Sequence, residues 1–390
     1  MRSPKIMLIA GEASGDLHGA SLVREILRQA PGARLFGLGG PRMRAAGMRL
    51  DLDLASRSVI GFFEVLKHLG FFRKAFRLAQ DLLLSEKPDL VVPIDYPGFN
   101  LRFSAFAAGK GARVCYYISP QVWAWKAGRV RTMKRCLARI LVTFPFEEPI
   151  YRGAGLPCSF VGHPLMDSIR PRRGTAGVRR ARGWGARERL VGLLPGSREQ
   201  EILYLLPVML DSAVELSRRA PDARFVVLKA PHLKAELFEP LARRYSGKIR
   251  LEILQAGPEE DPYELRRCFD AAMVASGTAT LETAILGTPF VILYRVNPLS
   301  YQIGKRLIRL PYIGLANVVA GRKVVEEFIQ HELKPEKIAE ALWPLLSDPA
   351  ARREQTRALK KAVRGLGGPG AARRAAREIL NLSISSKEII

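Results

Sequence analysis

Four short stretches carry residue types that do chemistry once a fold brings them together. "LIAGEASGDLHGA" (8–20) passes from apolar residues into Gly, acid, Ser, Gly and acid before a helical pattern begins. A strand feeding a Gly-rich turn and a helix usually makes a phosphate site, since free backbone N–H groups and the helix dipole favour an anion there. Glu12 and Asp16 would repel that anion, so this loop is no ordinary phosphate cradle. "PIDYPGFN" (93–100) ends a strand on Asp95 and turns through Pro97-Gly98. A carboxylate at a strand's carboxyl end can take a proton from a hydroxyl; the plainer reading is an Asx-turn or cap leading into Phe99. "GLLPGSREQEI" (192–202) sets Gly196, Ser197 and Arg198 between a strand and a helix, where backbone N–H groups, a hydroxyl and a charged fork suit an anion. "VASGTATLETAILGTPFV" (274–291) repeats the device: Ser276-Gly277-Thr278 turns, a helix runs from about Ala279 to Leu286, and Glu282 is placed for ribose hydroxyls. Ser and Thr cap helices everywhere, so either turn alone says little. Two in one half, with that carboxylate, favour a nucleotide diphosphate. This half lacks both G-x-G-x-x-G and G-x-x-x-x-G-K-[ST], which argues against NAD and against a P-loop ATPase.

Two further stretches mix aromatic and basic residues. "YYISPQVWAWKAGRVRTMKR" (116–135) sets Trp123 and Trp125 beside Lys126, Arg129 and Arg131, a combination that stacks on bases or rims a pocket for a phosphorylated sugar. "VIGFFEVLKHLGFFRKAFRLAQ" (59–80) puts Phe62, Val65, Leu66, Leu69, Phe72 and Phe76 on one helical stripe, with Lys67, Arg73, Lys74 and Arg77 on other faces. Core helices show this period, and so does a helix lying in the plane of a lipid surface. His163, alone in "FVGHPLMD" (160–167), reads as a structural hydrogen-bonder that fixes a hinge with Pro164. No His, Cys or carboxylate cluster has metal-ligand spacing, so no metal site is expected.

The elements that must position these residues alternate. Strand-length apolar runs at 5–10, 33–38, 89–94, 113–118 and 139–144 are separated by amphipathic segments such as Leu17–Gln29 and Phe99–Gly109. A second series runs through 189–194, 224–229, 249–254, 271–275 and 289–294. Strands alternating with helices predict parallel sheets covered on both faces, and two such halves predict a cleft with ligands at the strands' carboxyl ends. Between the series, "RPRRGTAGVRRARGWGARER" (170–189) holds no apolar run and reads as an interdomain connection. The expected division is 1–168, a linker 169–188, 189–364, and a helical tail 365–390 that follows a break at "GLGGPG".

Length and charge set the limits. A chain of 390 residues can bury two cores. Its formal net charge of +25 favours a polyanionic neighbour, whether nucleic acid, an anionic membrane face or a phosphorylated substrate. Cys115, Cys136, Cys158 and Cys268 lie far apart and read as buried thiols of a reducing compartment. The amino terminus lacks the pattern of a secretory signal, and no uncharged apolar run reaches the ~18 residues of a spanning helix. A cytoplasmic protein is expected.

Taken jointly, "GEASGDLHGA", "GGPRM", "IGFFEVL", "IDYPGFN", "SPQVWAW", "FVGHPLMD", "LLPGSR", "ASGTATLE" and "NVVAGRKVVEE" resemble the lipid-A-disaccharide synthase family, in family order over nearly the whole chain. The resemblance implies an α/β fold of GT-B type, two Rossmann-like domains whose parallel sheets face across a cleft. It implies an inverting glycosyltransferase that joins UDP-2,3-diacylglucosamine to 2,3-diacylglucosamine 1-phosphate, forming a β(1→6) disaccharide and releasing UDP, with no cofactor. Asp95 is then the base, with Glu12 its rival. Gly196, Ser197, Arg198, Ser276, Gly277, Thr278, Glu282 and Asn317 fall on the UDP side. Ser14, Gly15, Asp16, Trp123 and Trp125 fall on the acceptor side, where the acids of the first loop meet sugar hydroxyls and not a phosphate. Some relatives carry a second acid after Pro97; Gly98 implies that it is dispensable. Acyl chains give the aromatic helix a purpose: Phe62, Phe63, Phe71 and Phe72 would enter the inner leaflet of the cytoplasmic membrane while Lys67, Arg73 and Lys74 meet anionic head groups. The resemblance leaves room for a homodimer. Two other readings remain: a UDP-sugar enzyme of the same fold, like a 2-epimerase, needs no acceptor or aromatic helix; a nucleic-acid binder would use the charge but leave "LLPGSR" and "ASGTATLE" idle.

Overall fold

The structure, a computed structural model, describes residues 3–57, 69–124, 128–257, 260–298, 301–302, 305 and 310–384. Phe62, Phe63, Lys67 and Trp125 lie outside the described residues. The chain divides into two units, Met1–Asp167 with Leu366–Ile390, and Ser168–Gly365.

The first unit is built on strands β1 (Lys5–Ala10), β2 (Arg34–Gly39), β3 (Arg49–Asp53), β4 (Leu90–Ile94), β5 (Cys115–Tyr117), β6 (Arg139–Val142) and β7 (Cys158–Phe160). They form one sheet in the order β3-β2-β1-β4-β5-β6-β7, parallel throughout. Successive side chains of a strand point to opposite faces. Met7 and Ile9 therefore pack with Val91, Phe103 and Tyr116 on one side, while Ile6, Leu8 and Ala10 pack with Leu22, Val23 and Ile26 on the other. With both faces covered, "KIMLIA" is apolar at nearly every position, as a central parallel strand must be. The final helix, Ala371–Ile384, returns to this unit and buries Ala375, Ala376, Ile379 and Leu380 against the second face.

The second unit has β8 (Leu190–Leu194), β9 (Arg224–Leu228), β10 (Arg250–Leu254), β11 (Ala271–Ala275), β12 (Phe290–Tyr294) and β13 (Glu327–Ile329), in the parallel order β10-β9-β8-β11-β12-β13. Ten strands lie where apolar runs predict them. The strands Arg49–Asp53, Cys158–Phe160 and Glu327–Ile329 have no such run; all three are outermost in their sheets and mostly only partly buried.

The arginine-rich segment is not a linker. It folds into the second unit as the helix Thr175–Ala181, with Val178 and Trp184 in an apolar cluster beside Leu190 and Phe269. Its arginines satisfy the fold's own acceptors: Arg179 donates to Asp270 at 2.9 Å and to the Glu188 and Cys268 carbonyls, and Arg173 donates through Nε to buried Glu264 at 2.6 Å. Three donations from Arg172 and Arg173 hold the Glu264 carboxyl below the usual range against the pull of burial. Sequence composition alone reads such a segment as solvated because it cannot show these acceptors.

Candidate functional site

In each sheet the strand order reverses once, between β1 and β4 and between β8 and β11. Loops leaving the carboxyl ends of strands on either side of a reversal diverge, and the gap between them is where open α/β sheets bind ligands. Paired residues Ala10 and Ile94 end the first two strands, and Leu194 and Val274 lie together at the second reversal. The four chemistry-bearing stretches are what follow these residues.

In the first unit, Asp95 (φ 49°), Tyr96 (φ 49°) and Ile118 (φ 63°) all lie in the left-handed region. For a β-branched residue such as Ile118 that is an outlier, and strained backbone of this kind collects at functional sites. What holds the strain is visible. Asn100, fully buried, donates through Nδ2 to the carbonyls of Ile9 (3.3 Å), Ile94 (3.2 Å) and Asp95 (2.7 Å), tying the ends of β1 and β4 together. The Tyr116 hydroxyl donates to the Asp95 carbonyl, and the Asp95 N–H donates to Tyr117 at 3.0 Å. A Cβ on Gly11 would stand 2.1 Å from the Tyr96 ring, so only glycine lets the first loop pass there. Burial, and then the nearby charge of Glu12, push the Asp95 carboxyl up to about 6, against the pull of the Tyr96 N–H. A buried carboxyl raised toward neutrality at the end of a strand has the setting a general base needs.

The other acids and aromatics of this unit have structural duties. Asp16 is buried, and its two oxygens accept the N–H groups of Arg42 (3.1 Å) and Met43 (3.0 Å) at the start of the helix Pro41–Ala45. Its buried carboxylate serves as a cap for that helix. Gly15 is buried in close approach to Ala10, while Ser14 is exposed on the first helical turn. Trp123 is likewise committed: its Nε1 donates to Glu147 at 3.0 Å, and its ring meets Phe144 and Phe146 edge-on. Glu147, which sequence reasoning passed over, also accepts from the Ser119 hydroxyl (2.6 Å) and the Phe144 N–H (3.1 Å); burial pushes its carboxyl up to about 7 against these donors. His163 is the structural hydrogen-bonder it was read as. Its Nδ1 accepts from Leu165 at 3.2 Å, its N–H donates to Leu366, and burial lowers its ring to about 3, so it stays neutral.

The described part of the aromatic helix, Leu69–Glu86, is anchored by Phe76, which meets Phe99, Phe103 and Phe106 edge-on. Phe71 and Phe72 are half-buried against the same core, and Arg73, Lys74 and Arg77 are exposed.

In the second unit the Gly196–Arg198 turn follows β8, with Gly196 at φ 112°. The Arg198 side chain is 61% exposed, and one of its N–H groups reaches Glu201 Oε1 at 3.3 Å. The N–H groups of Ser197 (2.8 Å) and Arg198 (3.2 Å) already donate to Glu201 Oε2. These are the amides that the spacing assigned to an incoming anion; in this structure the fold's own carboxylate accepts them. After β11, Gly277 lies at φ 150° with nothing within 4 Å of where a Cβ would be, and Thr278 is exposed at the start of the helix Thr278–Leu286. Ser276 donates its hydroxyl proton to the Ile313 carbonyl (3.2 Å) and so holds a neighbouring loop, and the Thr280 N–H at the helix start donates to the Gly277 carbonyl at 3.1 Å. Glu282 is ion-paired with Arg266 and accepts from the Tyr263 hydroxyl at 3.2 Å. Each carboxylate oxygen keeps lone-pair capacity for a sugar hydroxyl.

Asn317, assigned to the UDP side by the resemblance, is occupied within its own loop. It is fully buried: Nδ2 donates to Val325 and Glu327 at 2.8 Å each, and Oδ1 accepts from Val324 (2.8 Å) and Val325 (2.9 Å). It is a clamp within the loop that follows it, with no donor left for a ligand. Glu327, at the start of β13, completes the clamp by accepting from Ile313 (2.9 Å) and Gly314 (3.0 Å). Asn100, Glu201 and Glu327 were missed because their work is set by partners distant in sequence or hidden within a turn; the acid three residues into a helix was the one readable signal, as half of a capping box.

Comparison with known proteins gives one consistent result. A family model described as lipid-A-disaccharide synthetase matches residues 6–380. Lipid-A-disaccharide synthases of Geobacter sulfurreducens and Syntrophus aciditrophicus are each 44% identical, over 380 and 384 residues, covering 97% and 98% of both chains. Among solved structures, UDP-GlcNAc 2-epimerase from Neisseria meningitidis bound to UDP-GlcNAc has a TM-score of 0.61 at 14% identity, covering 98% of this chain and all of that one. Acinetobacter baumannii MurG has a TM-score of 0.59 at 14% identity, covering 97% and 99%. At that identity the structural likeness carries the fold alone.

Proposed function

This chain belongs to the lipid-A-disaccharide synthetase family, and from that premise we propose how its residues divide the work of the glycosyl transfer. The donor is UDP-2,3-diacylglucosamine and the acceptor 2,3-diacylglucosamine 1-phosphate. The acceptor's 6-hydroxyl attacks the anomeric carbon of the donor, and Asp95 takes its proton as the new C–O bond forms. The bond to UDP breaks on the opposite face, and its electron pair leaves with the diphosphate. Arg198 and the N–H groups that begin the helix Thr278–Leu286 meet the charge growing there, the kind of preorganised electrostatic aid that often dominates catalysis. Glu282, held by Arg266 and Tyr263, receives the ribose hydroxyls. Glu12 raises the proton affinity of Asp95.

What supports this reading most is that both pairs of motifs stand on the two strands flanking the reversal of their own sheet. The half-buried Phe71 and Phe72 with exposed Arg73 and Lys74 support docking on an anionic bilayer, which we assign to the inner face of the cytoplasmic membrane. No described helix is long and apolar enough to cross one.

The test is UDP release from the acylated donor with and without the acylated acceptor, beside matching unacylated sugars. Release that needs the acceptor and falls sharply without acyl chains is expected. Turnover of the donor with no acceptor present would replace this reading with the epimerase-like one.

A further inference from the structure

We infer that Glu201 is a positioning residue for the donor's diphosphate, acting through Arg198; this rests on the reading that the Gly196–Arg198 turn holds that diphosphate. The helix Glu199–Ser217 starts directly after the turn, which brings its third residue beneath it. There one carboxylate gathers three donors: Oε2 accepts the N–H groups of Ser197 and Arg198, and Oε1 accepts Arg198 Nη1. A Cβ on Gly196 would stand 2.2 Å from Oε2, so glycine at 196 is required both by its φ of 112° and by the carboxylate filling the turn. From the other flank, His232 Nε2 lies 2.7 Å from the Ser197 carbonyl and fixes the same peptide. Tyr294, at the end of β12, feels the charges of both Arg198 and Glu201.

The consequence is a division of labour. With the two amides turned inward, the charged donor left for a phosphate on this turn is the Arg198 guanidinium, beside the Ser197 hydroxyl. Arg198 is a long, exposed side chain, and its one contact with Glu201 limits the rotamers it samples while leaving its other N–H groups for a ligand. Glu201 also brings a negative charge near the diphosphate. A tether therefore predicts weaker binding when Glu201 is removed. A carboxylate that merely stands in for the phosphate until it is displaced predicts tighter binding. The two readings differ in sign.

The experiment measures UDP affinity by calorimetry, and donor KM and kcat, for Glu201→Ala, Glu201→Gln, Arg198→Ala and the Arg198→Ala/Glu201→Ala double variant. Glu201→Ala is expected to weaken UDP and raise donor KM by roughly tenfold, with kcat changed less, the scale of one charge-assisted hydrogen bond. Glu201→Gln, whose amide oxygen still accepts from the turn, is expected to recover to within about threefold of the parent. In the Arg198→Ala background, Glu201→Ala is expected to add nothing. Unchanged or tighter UDP binding by Glu201→Ala, or an equal loss with Arg198 absent, overturns the inference. If Glu201→Ala melts below the assay temperature, Glu201→Asp, too short to reach both partners, takes its place with the same expected loss. Should Arg198→Ala alone bind UDP like the parent, the turn is not the diphosphate site, and the inference falls with that reading.

Discussion

In the proposed mechanism Asp95 is the base, and its setting makes a prediction about pH. Its carboxyl is raised to about 6 by burial and by Glu12, and a base works only when ionised. The kcat/KM profile should therefore lose activity as pH falls through about 6. Glu12→Gln removes a like charge and lowers the affinity of Asp95 for its proton, so the acid limb should move to lower pH with activity retained. If Glu12 were the base, the same substitution would abolish turnover. Asp95→Ala should lower kcat by ~10²–10⁴-fold, the usual worth of a positioned base. Retention of kcat within a few-fold of the parent enzyme would remove Asp95 from the mechanism. Asp16 makes the contrasting case. Asp16→Ala strands two amide N–H groups and should reduce stability to denaturant by about 1–3 kcal/mol, with its effect on kcat no larger than that on stability.

At the scale of elements, the motifs act as strand-end turns whose neighbours hold them. Asn100 is the fourth residue of the helix Pro97–Gly109 and ties two strand ends; Ser276 and Glu327 tie the second unit's loops in the same manner. The helix Leu69–Glu86 is bound to the core through buried Ala75, Ala79 and Leu83 and through Phe76, so the half-buried Phe71 and Phe72 at its start can change without loss of the fold. Replacing Phe71 and Phe72 with Ser should lower sedimentation with anionic vesicles while leaving transfer between detergent-dispersed substrates largely intact. Equal sedimentation of variant and parent would take this helix out of the membrane contact.

For the whole molecule, the chain enters the second unit at Ser168 and returns to the first at Leu366. The helix Ala371–Ile384 is thus part of the first unit's core, and a chain ending at Gly365 should uncover the faces of the helix Ala13–Gln29 and of β4 that it packs against, and fail to give a cooperative thermal transition for that unit. The fragment Ser168–Gly365 should still bind UDP within about threefold of the full chain, a prediction for calorimetry. The sequence by itself determined the parallel α/β character, ten of the thirteen strands among the described residues and the four stretches that carry chemistry, because buried parallel strands are apolar at nearly every position and strand-end turns have a distinct composition. Only the tertiary structure decided the strand order, which puts those stretches at the two sheet reversals. It alone decided that 169–188 is folded and not a linker, since Arg179 and Arg173 find acceptors about ninety residues away. It also showed which internal partners Asp16, Trp123 and Asn317 hold. A polar side chain can serve a ligand or the fold, and which of the two it serves depends on partners that no local pattern records.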